Sequence, residues 1–421
     1  MTTQARPQER RSSLLRNRFV QTVLLSNMML QLGIWVRNFA VLLFVSEQTN
    51  QDPVAISLIS VVQFAPIFIF SFIGGTFADR WRPKRTMVWC DLLSSISVFV
   101  VLLTLMYQAW EAVYFATFVS AVLSQFSQPS GMKLFKRYVE PEQQQSAMAM
   151  LQTLIGVFMV LGPAIGSLIY KGLGIEASLV CTGAAFLLSA LVLIRLPKDD
   201  REAASAVQKR SFQDDLKDGF RYVMKSKVLL TLGGTFAFVG LASGMANTLG
   251  IFVVTEKLSK TEDFVQYMQM ANGAAVLVGG VCVAILARKW SPQQLLAVAL
   301  LADAIGLVGT GFSTSVALTL ALQFLMGFFF PIIQVAISTM LLRWTAGDYI
   351  GRVNGVIMPM FTGAMVLMMA TSGPLLHVFT LETLSIIAGT FMLLGGLLQL
   401  SIMKAKSPQL APSTRSAGVE Q

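Results

Sequence analysis

Three charged side chains stand inside apolar runs of this 421-residue chain: Arg37, Asp91 and Asp303. A charge at mid-depth in hydrocarbon costs at least about 2.5–3.5 kcal/mol on insertion scales, so each is expected to face protein or water. A carboxyl in such a place can carry a proton, and a guanidinium presents a planar fork of donors suited to an anionic group. Asp303 falls near the midpoint of its run and is the leading candidate for a proton carrier, with a hydrogen-bonded structural acid as the alternative. Asp91 lies about a turn and a half inside its run and reads as a structural acid near a basic hinge. Arg37 shares its run with Gln31 and Asn38, and Gln63 lies at a similar depth in the next run. Two roles are open for Arg37: snorkelling towards Glu111 at the start of a later run, or facing a cavity and binding an anionic substrate group.

Two short stretches add chemistry of another kind. In GGTFADRWRPKRTM, residues 74–87, an apolar run stops for a compact basic hinge. Gly75 lets its helix approach a neighbour closely, and Asp79 can accept from free amides at a helix amino terminus. Arg80, Lys84 and Arg85 are expected to hold the hinge at an anionic lipid surface; a plain topogenic turn is the alternative. The second stretch holds Gly156, Gly162, Pro163 and Gly166. There the proline removes a backbone hydrogen bond and the glycines permit tight helix packing, functional or merely structural.

With 54% hydrophobic and only 13% charged residues, the chain lacks the polar surface of a water-soluble globule and belongs in a bilayer. A net charge of +10 does not point to nucleic acid, because the basic residues sit in short clusters between apolar segments. No GxxxxGK[ST] phosphate loop is present. The single His377 and the cysteines Cys90, Cys181 and Cys282 have no metal-ligand spacing, and no nucleophile, base and orienter group together. The expectation is therefore a protein without metal, cofactor or enzymatic activity.

The elements that must position these residues are membrane helices. Runs of about 20 apolar residues give twelve: 18–46, 54–77, 86–107, 110–132, 146–170, 175–195, 228–255, 264–287, 293–313, 315–341, 351–377 and 380–403. Of the 32 Lys and Arg, all but Arg37, Lys171, Lys257 and Lys260 fall in the tails or the even-numbered junctions, which places both termini in the cytoplasm. Shifting the chain by 209 residues lays Ala78, Trp81 and Pro83 over Ala287, Trp290 and Pro292, at the same junction of each six-helix half. The expected organisation is a basic tail (1–17), a six-helix bundle (18–195), a linker with an amphipathic helix (196–227), a second bundle (228–403) and a cytoplasmic tail (404–421). The linker helix carries Phe212, Leu216, Phe220 and Val223 on one face and is expected on the inner membrane surface.

Gly75-Thr-Phe-Ala-Asp79-Arg80-Trp-Arg-Pro-Lys84-Arg85 resembles the major facilitator superfamily signature between helices 2 and 3, with Arg82 in place of the usual glycine. LQLGIWVRNFAVLL, DDLKDGFRYVMKS and GDYIGRVNGV resemble the bacterial branch of macrolide and enterobactin exporters. The stretch from Gly156 to Gly166 is similar to the antiporter motif of helix 5, with Phe158 and Ser167 where the pattern has glycines. The resemblance implies an all-α membrane protein of twelve transmembrane helices in two six-helix halves, working by alternating access. It also implies that the hinge latches the halves on the cytoplasmic side, Asp79 facing the start of helix 11. The implied activity is export of an amphiphilic or hydrophobic small molecule, drug-like or siderophore, in exchange for protons. The expected partners are that substrate, membrane lipids and protons, with the chain acting as a monomer in the bacterial cytoplasmic membrane. A lipid or lysolipid flippase, an uptake symporter and a non-transporting receptor stay open, and helix 4 lacks the embedded arginine of many proton-coupled drug antiporters.

Overall fold

Apolar runs of this length have one way to satisfy their backbone in hydrocarbon short of a closed barrel, which is to pair every amide within the segment as helix. The structure, a computed structural model, describes residues 17–197, 212–286, 289–346 and 349–402. The two expected tails (apart from Asn17), the linker before 212 and the pair 287–288 of the repeated junction lie outside them.

The described helices are α1 (Arg18–Gln48), α2 (Pro53–Arg80), α3 (Pro83–Leu105), α4 (Ala112–Tyr138), α5 (Pro141–Leu193) and α6 (Phe212–Lys225). They continue with α7 (Lys227–Phe252), α8 (Val265–Leu286), α9 (Pro292–Phe312), α10 (Val316–Trp344), α11 (Ile350–Leu376) and α12 (Leu381–Leu400). A π-helical turn, Val253–Lys257, extends α7. The 53 residues of α5 break at Gly174, whose φ of 80° is readily open only to glycine, so α5 makes two crossings. With α6 set aside as the amphipathic linker, the chain crosses twelve times and forms two six-helix halves. Nine described segments are by themselves long and apolar enough to span, the long one in α5 included; α4 and α8 complete the set.

The hinge is shorter than the sequence suggests. Helix α2 runs through Arg80 and α3 restarts at Pro83, leaving only Trp81 and Arg82 between them. Proline at the first helical position costs no hydrogen bond and presets φ, which lets α3 begin at once. The matching junction behaves alike: Trp290 precedes the Ser291 cap, and Pro292 opens α9. Trp81 and Trp290 are both about half exposed, so the tryptophan and proline matched by the 209-residue shift take the same places, while Ala287 lies outside the described residues.

The described residues fall into two compact units, one from Met1–Val41 and Ile73–Val207, the other from Leu42–Phe72 and Gln208–Gln421. In the first, α3 packs on α4 and α5. The ends of α1, α3, α4 and α5 meet in a core of Phe19, Val20, Met87, Leu134, Phe135, Val139 and Leu193. In the second, α7 packs on α11 and α12, α8 on α10, and α9 on α10 and α12. Because lipid tails are as apolar as leucine, such pairs gain from close backbone approach. Gly244 of α7 lies against Met365 and Met368 of α11, and Gly327 of α10 lies against Asn272 and Ala275 of α8.

Candidate functional site

The face of α1 that carries Arg37 is set by what its other face must do. Trp35 and Phe39, four residues apart, lie on one side of α1 with their rings 6.4 Å apart. Residue 37 stands roughly 200° around the helix from both. Gly162 and Gly166 of α5 sit against that aromatic pair. A methyl group at Gly166 would come within 2.8 Å of both the Phe39 Cβ and the Trp35 carbonyl oxygen, and one at Gly162 would overlap the Trp35 ring. Pro163 is buried between these glycines and Gly156 is buried a turn and a half earlier. The glycine and proline stretch is thus the seat of α1 on α5, which turns Arg37 to the opposite side.

Arg37 is only 4% exposed. Its Nε and Nη2 donate to the Asn38 Oδ1 at 3.3 and 3.1 Å. Its buried Nη1 has no partner among the described residues. The expected pairing with Glu111 is not formed: Glu111 stays exposed as the residue before α4, while Arg37 is held low by its own neighbour Asn38. A short, planar amide acceptor one residue away reaches the guanidinium without the long climb that snorkelling needs. Gln31 and Gln63 are both half-buried, Gln63 belonging to the other unit.

Asp91 has a structural assignment. Its Oδ2 accepts from the Ser189 hydroxyl at 2.6 Å. Ser189 has one hydrogen to give, so the 2.8 Å contact to Ser26 has Ser26 donating. One turn on, the Ser95 hydroxyl donates to the Gly183 carbonyl at 2.7 Å. Asp91 therefore pins α1, α3 and the second crossing of α5 together. Asp303 differs: it is 7% exposed, and its Oδ1 is buried without a partner among the described residues.

Of the hinge residues, Gly75, Asp79 and Arg80 occupy the closing turns of α2, and their side-chain surroundings lie outside the described residues. Arg85 is exposed on the first turn of α3. Lys84 has a role other than the expected contact with lipid. Its Nζ donates to the Ile194 carbonyl at 2.7 Å and also to that of Leu196. These carbonyls at the end of α5 lack helical partners, and a cation there satisfies them and complements the helix dipole.

Two stretches singled out in the sequence meet in the second unit. Tyr222 of α6 stacks on Tyr349 at 4.6 Å and its hydroxyl accepts from the Ala346 amide at 3.1 Å. The Arg352 guanidinium lies 5.0 Å over the Tyr349 ring, and Gly219 lets α6 close on the Arg352 carbonyl. The amphipathic helix is therefore docked on the start of α11 by its tyrosine, a contact its apolar periodicity does not reveal.

The same unit has a polar cluster at the α1–α2 junction that the sequence reading missed. Glu262 accepts from Gln51 at 2.9 Å and Ser46 at 3.2 Å. Asp52, which also accepts from the Ala55 amide at 2.9 Å, lies 3.6 Å from His377. Lys257, at the end of the π turn, pairs with Glu382 on the first turn of α12. No run or motif in the sequence marks these residues; the tight turn that brings Gln51 and Asp52 back beside Ser46 uses left-handed Asn50 and Gln51, φ 51° and 64°. Among the described residues no His, Cys, Asp and Glu cluster could hold a metal ion.

Comparison with known proteins assigns the family. The family model of the Major Facilitator Superfamily matches residues 23–309 and 253–419. The uncharacterized MFS-type transporter YkuC of Bacillus subtilis (strain 168) is 25% identical over 335 residues, 77% of this chain and 78% of that protein. The multidrug efflux pump Tap of Mycolicibacterium fortuitum is 24% identical over 375 residues, 86% of this chain and 91% of that one. The solved structure of the nucleoside transporter NupG superposes with a TM-score of 0.73 at 13% identity, covering 92% of this chain and 99% of that one. This chain belongs to the Major Facilitator Superfamily, as a multi-pass membrane transporter and not an enzyme.

Proposed function

We propose that this chain exports amphiphilic or hydrophobic small molecules from the bacterial cytoplasm across the inner membrane, as a monomer working by alternating access in exchange for protons. Similarity to the efflux pump Tap supports the direction. The observation that carries the substrate class is the Nη1 of Arg37, a buried cationic donor without a partner among the described residues; the Asn27 Oδ1 of the same helix is likewise unpartnered, but as an acceptor it offers nothing to an anion. A buried donor without a partner costs about 1–3 kcal/mol, more for a charged group, and a substrate carrying an anionic or strong acceptor group would recover it. The substrate is then an amphiphile whose apolar body matches this methionine- and phenylalanine-rich chain, with 22 Met and 29 Phe.

Proton coupling is assigned to Asp303, the embedded acid that no hydrogen bond in the described structure accounts for. The cluster around Glu262 and Asp52 serves as the outer gate, and the hinge from Gly75 to Arg85 as the inner one. Both termini are cytoplasmic, a reading supported by the one-sided distribution of Lys and Arg. The test is flux of a substrate panel in sealed proteoliposomes with and without an imposed pH gradient. Gradient-accelerated movement of anionic amphiphiles, lost in Asp303→Asn and in Arg37→Lys, supports the reading. Acceleration unchanged in Asp303→Asn removes that residue from coupling, and movement of labelled phospholipid alone makes the protein a flippase.

A further inference from the structure

A cavity of about 560 Å³ opens between α9 and α12. Its walls differ from end to end. Lys289, Trp290 and Gln294 line one end, and the rest is apolar, with Val298 and Leu301 from α9 and Leu397 from α12. Among the described residues no acidic side chain lines it and Lys289 makes no ion pair.

We infer that this groove holds an anionic membrane phospholipid, its phosphodiester at Lys289 and Trp290 and one acyl chain along the apolar wall. Depth supports this occupant. Helix α9 opens at Pro292, so Lys289 and Trp290 lie just ahead of the spanning segment, where headgroups and interfacial tryptophans sit. From residue 290 to residue 301 a helix rises roughly 16 Å, about half of a ~30 Å hydrocarbon core, which is the reach of one leaflet. The charge is complementary as well: an ammonium at the mouth suits a phosphodiester, and the Trp290 indole adds a donor. The capping box at Ser291 uses the carbonyl oxygen of the Gln294 side chain, not its amide nitrogen, which is a further donor at the mouth. Gly396 leaves room in the wall, since a methyl group there would meet nothing closer than the Leu300 Cβ at 3.7 Å. A lone apolar groove would accept any lipid tail; the cationic mouth makes it selective for the anionic headgroup.

The probe is brominated phosphatidylglycerol against brominated phosphatidylcholine, each mixed into phosphatidylcholine vesicles holding the full chain. Quenching of Trp290 is taken as the difference between the wild type and Trp290→Phe. Phosphatidylglycerol should be preferred at this indole by roughly fivefold, since a cation near an anionic leaflet is worth about 1 kcal/mol. Lys289→Glu should bring the ratio to one or below, and Gly396→Phe should abolish the preference by filling the groove, both with wild-type helicity. Equal quenching by the two lipids in the wild type, or a ratio unchanged in both variants, overturns the inference. Neither outcome depends on what the protein transports.

Discussion

Replacing Gly166 by alanine puts one methyl group where α5 meets the backbone of α1. The added carbon would stand 2.8 Å from the Trp35 carbonyl oxygen and 2.8 Å from the Phe39 Cβ, and neither of these can rotate out of the way. Ordinary contacts need about 3.5 Å or more, so the two helices must part by roughly 0.5–1 Å. Overpacking of this kind costs about 1–3 kcal/mol, and the better helix propensity of alanine returns up to about 1 kcal/mol. The net loss expected is about 1–2 kcal/mol, a fivefold to thirtyfold shift towards unfolding. Gly280 on α8 is the control, because a methyl group there meets nothing within 4 Å. Gly280→Ala should therefore be neutral or slightly stabilising. Both variants would be unfolded in mixed micelles by titration with dodecyl sulfate and assayed for flux. Gly166→Ala should be destabilised and Gly280→Ala should not, with Gly162→Ala following Gly166→Ala through its overlap with the Trp35 ring. If Gly166→Ala is as stable as Gly280→Ala, the glycine stretch is not the seat of α1 and the placing of Arg37 loses its basis.

Arg37→Met keeps an unbranched apolar stem and removes a buried cation that has no carboxylate partner among the described residues, so its melting temperature in detergent should equal or exceed the wild type while flux of anionic amphiphiles is lost. Lys84→Met should cost about 1–2 kcal/mol in the same unfolding titration by freeing the Ile194 and Leu196 carbonyls. Ser189→Ala should cost about 1–3 kcal/mol, and adding Asp91→Asn should cost less than the sum of the two changes because both sit in one hydrogen-bond chain. Glu262→Ala removes the acceptor shared by Ser46 and Gln51. A cysteine placed at Ser46, which is fully buried, should then react faster with a membrane-impermeant maleimide added from outside.

The helices were readable because hydrocarbon leaves the chain little choice. The break at Gly174 falls inside the expected gap between 170 and 175, and α9 differs from its expected bounds by one residue at each end. The gap between the runs ending at 77 and starting at 86 is wider than the hinge itself, because charged residues end an apolar run without ending a helix: α2 continues to Arg80 and Pro83 starts α3 directly behind Arg82. Glycines and embedded charges were legible as types; their partners were not. Nothing in the spacing pairs Asp91 with Ser189, 98 residues away, or Glu262 with Gln51, 211 residues away. Short serine and glutamine side chains carry no periodic signal, and only the packing of α1, α3 and α5 selects which of many serines meets the acid.

The claim that Arg37 serves a transported anionic amphiphile is tested most directly by one flux measurement. Inside-out vesicles containing the wild type, Arg37→Lys or Arg37→Met would be given a matched pair of labelled amphiphiles from outside, one anionic and one neutral, under an imposed pH gradient. The wild type should accumulate the anionic compound, and both variants should lose that accumulation while remaining inserted and folded. Undiminished accumulation of the anionic compound by Arg37→Met would contradict the claim.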